Sequence, residues 1–108
     1  MMAERANTYR HVVLFKFKDA TPAETVTGIE DAFRAFCASL SFVTDYEWGL
    51  NSSPEGLDQG FTHCFIVTFA GPEGRDQYLP HPAHKAFIER WLDPNLDKVC
   101  VVDFAAQD

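Results

Sequence analysis

Hydrophobic and polar positions in this chain follow two rhythms that succeed one another in a regular order. From His11 to Lys18, HVVLFKFK alternates with period two. His11, Val13, Phe15 and Phe17 share one face, Val12 and Leu14 the other, which predicts a strand apolar on both faces over its first half. Thr21, Pro22 and Glu24 then form a helix-start signal, with Thr as N-cap, Pro in the first helical position and Glu closing a capping box. Val26, Ile29, Phe33, Phe36 and Leu40 follow at three- and four-residue steps, predicting a helix with one apolar stripe that Gly28 weakens slightly. Phe42 to Leu50 reads as a second strand, and Asn51 to Gly60 as a loop rich in turn formers. In the third strand, Phe61 to Phe69, positions Phe61, His63, Phe65, Val67 and Phe69 take one face. Cys64 on the other is expected to act as a small core hydrophobe. Gly71, Pro72 and Gly74 break the pattern before a short helix from Arg75 to Leu79. Pro82 opens the second main helix, which runs to Asp93 with Phe87, Ile88 and Trp91 on its apolar stripe. Val99 to Phe104 is the last strand. Residues 1–9 are polar and read as a flexible N-terminus, leaving an ordered domain over residues 10–105.

The order β-α-β-β-α-β predicts an α+β fold, a ferredoxin-like sandwich with two helices on one face of a four-stranded antiparallel sheet. Two helices cover only one sheet face. The other would show Val, Leu, Ile and Phe to water, each forfeiting about 1.5–3 kcal/mol of burial. Sheet-on-sheet packing with a second copy removes that exposure. The expected partner is therefore the chain itself, in a two-fold homodimer joined through the sheet face.

Composition narrows the range of functions. The chain has 108 residues, enough for one domain, and 46% of them are hydrophobic, including ten Phe. A net charge of -7 with scattered acidic residues argues against nucleic acid and against anionic membrane surfaces. No apolar run approaches the length of a membrane span and the N-terminus carries no apolar signal segment. Three cysteines without metal or redox spacing fit reduced thiols, so a cytoplasmic location is expected.

The richest chemistry lies in Tyr78 to Trp91, YLPHPAHKAFIERW. His84 falls three and four positions before Phe87 and Ile88, so it lies on the buried stripe in the first helical turn. The positive end of the helix dipole disfavours imidazolium there, which predicts a neutral imidazole able to act as a base. Tyr78 enters just upstream. A core histidine with a satisfied hydrogen bond explains the same spacing. His81, held outside the helix by Pro82, is expected to shape the helix start. The four histidines have no metal-ligand spacing, so no metal is expected.

Three separated segments, HVVLFKFKD, the GFTH at Gly60 to His63 and the HPAH at His81 to His84, resemble the stress-responsive A/B barrel (Dabb) family of dimeric α/β barrels. The resemblance spans about His11 to Phe104. It implies a homodimeric ferredoxin-like barrel and a small-molecule pocket between helices and sheet. Tyr78 and His84 match the phenol and the base of a plant polyketide cyclase of that family, which works without metal or cofactor. His11 and His63 match two further pocket histidines, and Phe65, two residues beyond His63, is a bulky aromatic that narrows such a pocket. The resemblance thus implies catalytic His84 and Tyr78, substrate-binding His63 and His11, and no cofactor; Phe65, where the chain departs from the family's pattern, is expected to line the same substrate pocket. The implied activity is a cofactor-free lyase or cyclase, with a non-catalytic, ligand-binding or structural dimer as the alternative.

Overall fold

The computed structural model describes residues 8–107. Four strands, β1 (Tyr9–Phe17), β2 (Asp45–Leu50), β3 (His63–Phe69) and β4 (Leu96–Ala105), form one sheet in the order β2-β3-β1-β4, and all three neighbouring pairs are antiparallel. Three helices, α1 (Ala23–Ala38), α2 (Pro72–Tyr78) and α3 (Pro82–Phe87), lie between them in sequence, with α3 running directly into a π-helical turn, Ile88–Leu92. This is the ferredoxin-like arrangement, with the second helical segment split in two. Residues 1–7 of the expected flexible N-terminus lie outside the described residues. Tyr9 does not belong to that tail, because it pairs with Phe69 and Ala105. No helix of the described residues is long and apolar enough to cross a membrane.

The core lies between the helices and one sheet face. Ile29, Phe33 and Cys37 of α1 are buried against Val13, Phe15, Phe65, Val67 and Phe69. Phe33 stacks on Phe65 with ring centroids 4.6 Å apart. Gly28, placed on sequence grounds as a weak point of the helix, has a packing purpose. A Cβ there would stand 2.9 Å from Trp91 Cη2, so the bare backbone leaves room for the indole. Trp91 itself remains half-buried, short of the core place expected for it.

Several boundaries shift for local reasons. Helix α1 starts one residue late: Pro22 takes the cap position with no side-chain cap bond, because the Thr21 hydroxyl donates to the Asn95 carbonyl, 3.4 Å away. Strand β2 loses Phe42 and Val43 to a turn in which the Val43 amide donates to the Leu40 carbonyl. The Phe61 amide is likewise held by the Asp58 carbonyl, outside β3. The expected second main helix is α-helical only to Phe87. Strand β4 starts earlier than expected, at Leu96, where the pairing with β1 slips between Lys16 and Phe17 and sets Asp97 beside the Lys16 ammonium at 2.8 Å.

The register decides what the second sheet face carries. Val12 stands opposite Ile66 and Val102, and Leu14 opposite Cys64 and Cys100. Cys64 is therefore no core residue. It is half-buried opposite Leu14 on the face that no helix covers, the face on which β4 shows Val102 and Phe104 to solvent.

Candidate functional site

Three of the five expected site residues come together. His11 of β1, Tyr78 at the end of α2 and His84 in the first turn of α3 line one cavity of about 440 Å³ between the β1–β4 half of the sheet and the α3 helix. The Tyr78 ring lies 4.5 Å from the His84 ring and 5.3 Å from the His11 ring, centroid to centroid. Pro82 and His81 set up the helix start locally. The His81 Nδ1 caps it by accepting from the Ala83 amide at 3.0 Å, which is the structural duty expected of that residue.

His84 Nδ1 lies 2.9 Å from the Leu79 carbonyl oxygen. A carbonyl can only accept, so Nδ1 carries the proton and the lone pair of the neutral ring sits on Nε2. Burial pushes the His84 imidazole below its ordinary value, against the opposing pull of that carbonyl; His11 and His81 nearby act in the same direction as burial. The neutral base expected from the helix dipole therefore owes its state chiefly to desolvation.

Tyr78 is 1% exposed. Its hydroxyl meets the Cys37 thiol of α1. Burial pushes the phenol well up, so it stays protonated and can donate a hydrogen bond. The thiol is driven up to about 12 by burial, opposed by the Tyr78 hydroxyl, which makes it unreactive.

His11 belongs to a chain of contacts that sequence reasoning missed. Its Nδ1 donates to Asp103 Oδ1 at 2.6 Å, and Asp103 Oδ2 accepts from Arg75 Nη1 at 2.9 Å. Arg75 also reaches the Tyr9 hydroxyl and Asp76, each at 2.9 Å. Asp103 Oδ1 thereby fixes which His11 nitrogen carries the proton, leaving Nε2 as the second ring atom available to a ligand. A signal for this existed: Asp103 is an isolated acid in the apolar run VCVVDFA, and the register sets it directly opposite His11.

The structure does not bring His63 and Phe65 to this cavity, which corrects the expectation of one pocket lined by His63, Tyr78 and His84. Both lie on β3, on the far side of β1 from β4. Phe65 is fully buried in the aromatic core and narrows nothing. His63 is clamped between Glu30 (Nε2 to Oε2, 2.8 Å) and the Thr62 hydroxyl (2.9 Å from Nδ1), with Trp48 stacked nearly parallel at 5.8 Å. Both its ring nitrogens are occupied, Nε2 in joining α1 to β3 and Nδ1 by its neighbour in sequence. Among the described residues no group of three or more His, Cys, Asp or Glu is placed to hold a metal ion.

A ferredoxin-like α+β sandwich with one bare apolar sheet face and a histidine–tyrosine cavity under α3 defines a class of small barrel-forming proteins. The chain belongs to the stress responsive A/B barrel domain (Dabb) family, whose model matches residues 9–106. It is 34% identical over 103 residues to the stress-response A/B barrel domain-containing protein HS1 of Arabidopsis thaliana, covering 95% of this chain and 94% of that one. It is 30% identical over 81 residues to olivetolic acid cyclase of Cannabis sativa, covering 72% and 77% respectively. Among solved structures, a dimeric ferredoxin-like protein of unknown function from Thermobifida fusca superposes with a TM-score of 0.75 at 25% identity, covering 91% of this chain and 90% of that one.

Proposed function

We propose that the chain is a homodimer joined through its open sheet face, and that the His84–Tyr78–His11 cavity binds a small carbonyl compound and moves its protons in a cofactor-free reaction of the lyase or cyclase type. The observation that carries this reading is the His84 ring. Tied to the Leu79 carbonyl through Nδ1 and kept neutral by burial, it presents Nε2 as a base at a largely apolar cavity. Nε2 takes a proton from the carbon next to the carbonyl. The Tyr78 hydroxyl then turns from the Cys37 thiol, a weak acceptor, to the developing enolate oxygen. His11, oriented by Asp103, presents Nε2 as an acceptor for the hydroxyl hydrogen of an enol form of the substrate. General acid–base help of this kind is worth about 10²–10⁴ in rate. The relationship to a cyclase supports the chemistry, and the dimeric relative supports the assembly.

The test is deuterium exchange at the carbon between the carbonyls of β-diketones and β-keto thioesters, followed by proton NMR. His84→Ala abolishes enzyme-dependent exchange and Tyr78→Phe slows it at least tenfold, while both variants keep a cooperative unfolding transition. Unchanged exchange in His84→Ala refutes the mechanism. One observation favours a second reading, a ligand-binding dimer without turnover: the Tyr78 hydroxyl already has a partner in Cys37. That reading holds if compounds shift the His84 ring resonances but none exchanges.

A further inference from the structure

Arg75 and Tyr78 lie one turn apart on α2, so the helix that brings the phenol to the cavity also sets a guanidinium against Asp103. That guanidinium is fixed from several sides. Its Nη1 donates to Asp103 Oδ2 and to the Tyr9 hydroxyl, its Nε donates to Asp76 Oδ1, and its Cζ stands 5.1 Å from the centre of the Tyr9 ring. The two carboxylates differ in their surroundings. The Asp76 side chain is 68% exposed, so water carries its charge. The Asp103 side chain is 18% exposed and divides its oxygens between Arg75 and His11.

A lone carboxylate 2.6 Å from an imidazole draws a second proton onto the ring, and both nitrogens of an imidazolium donate. The guanidinium opposes this by taking up the same charge through the other oxygen. Tyr78 and His84, which also face His11, are both kept uncharged by burial. The His11 ring therefore retains a lone pair on Nε2. That atom is not shut away. Among the described residues the Tyr46 hydroxyl is the one side-chain polar group enclosed without a partner. His11 Nε2, to which no described residue hydrogen-bonds, thus opens on the cavity that His11 lines.

Given the reading of the cavity as a binding site, we infer that Arg75 determines which ligands its His11 corner accepts. By neutralising Asp103 it keeps His11 an acceptor at Nε2, so this corner takes a neutral hydroxyl or enol O–H. It turns away a carboxylate, which has no hydrogen to give. Without Arg75 the same ring becomes a cation that donates, and the preference reverses. Arg75 touches no ligand itself; it is a positioning residue that acts through Asp103.

Two readouts on the intact protein test this: nitrogen NMR of the His11 ring without ligand at about pH 7, and dissociation constants of phenol and benzoate from amide chemical shifts. In the parent protein Nε2 gives the signal of an unprotonated nitrogen, and phenol binds at least about tenfold more tightly than benzoate. Arg75→Met, at a partly exposed position of α2, should turn that signal to the protonated type and reverse the preference. Arg75→Lys, which keeps the charge, should behave as the parent. Arg75→Met combined with Asp103→Asn should restore both the unprotonated signal and the preference for phenol, because no uncompensated carboxylate remains. A purely structural Arg75 would not be rescued by a second loss. An unprotonated Nε2 in Arg75→Met, an unchanged preference, or no rescue by Asp103→Asn overturns the inference. Binding of neither probe overturns it together with the reading of the cavity as a site. Neither readout depends on turnover, so catalysis is tested separately. Switching of the signal and the preference without proton exchange removes only the catalytic mechanism, whereas exchange with an unmoved His11 signal overturns the role of Arg75 alone.

Discussion

Replacing Gly74 by Ala should destabilise the protein, although Gly to Ala in an open helix normally does the opposite. The helix-propensity gain is about 1 kcal/mol. Against it stands one contact. A Cβ on Gly74 would lie 2.7 Å from the Cβ of Phe69 and 2.8 Å from its Cδ1. Phe69 is fully buried on β3, and its Cβ is anchored to the sheet backbone. Its ring cannot swing aside, because Tyr78 lies 5.4 Å away on one edge and Phe42 6.4 Å away on another. The helix must move instead. Overpacking of this kind costs about 1–3 kcal/mol, and a contact with a backbone-anchored atom belongs in the upper part of that range. The net loss is about 1–2 kcal/mol, a fall in Tm of roughly 4–12 °C for a domain of this size. The displaced helix also carries Tyr78, so its contact with His84 should loosen. The assay is urea unfolding at fixed protein concentration, run beside Gly28→Ala. At Gly28 the nearest atom is the far end of the half-buried Trp91 ring, 2.9 Å away, which can swing outward. The helix gain then offsets the displacement, and the change stays within about 0.5 kcal/mol. Gly74→Ala as stable as the parent, or Gly28→Ala the more damaging of the two, refutes the reasoning.

Two further outcomes are expected. His84 titrates lower in the folded protein than in the unfolded chain, whose imidazole titrates near about 6.5, so the unfolded state binds its proton first as the pH falls. Stability is untouched by this group above that pH and declines as the pH drops through it toward the lower native value. His84→Gln should flatten that stretch of the urea-midpoint profile between pH 7.5 and 5, and parallel profiles would contradict the assignment. Ile66→Lys sets a charge in the middle of the open sheet face, opposite Val12. It should give a folded monomer by sedimentation velocity; a persisting dimer shows that the copies meet elsewhere.

Much of the candidate site could be read from residue order, but not its grouping. Pro82 and the spacing of Phe87 and Ile88 place His84 at a helix start facing inward, and it is there. The same spacing put Trp91 in the core, where Gly28 instead offers it a shallow seat at the surface of α1. His63 and His11 share the inner sheet face, as alternation requires, yet belong to different sites. Strand order decides that: β1 stands between β3 and β4, so the cavity over β1 and β4 cannot include a β3 side chain already locked to Glu30. Asp103 became meaningful only through register.

What the amino-acid sequence determined by itself is the set of elements, the inward face of each, and the surplus of apolar residues on strands that two helices cannot cover. These follow from local periodicity and from the free energy of exposing hydrocarbon, which need no knowledge of distant contacts. Tertiary structure alone decided the rest: the pairing of His11 with Asp103 across 92 residues, the meeting of Tyr78 with Cys37, and the gathering of His11, Tyr78 and His84 around one cavity. Each depends on which strand lies beside which and in what register, and a single-residue slip would turn those side chains to the opposite face.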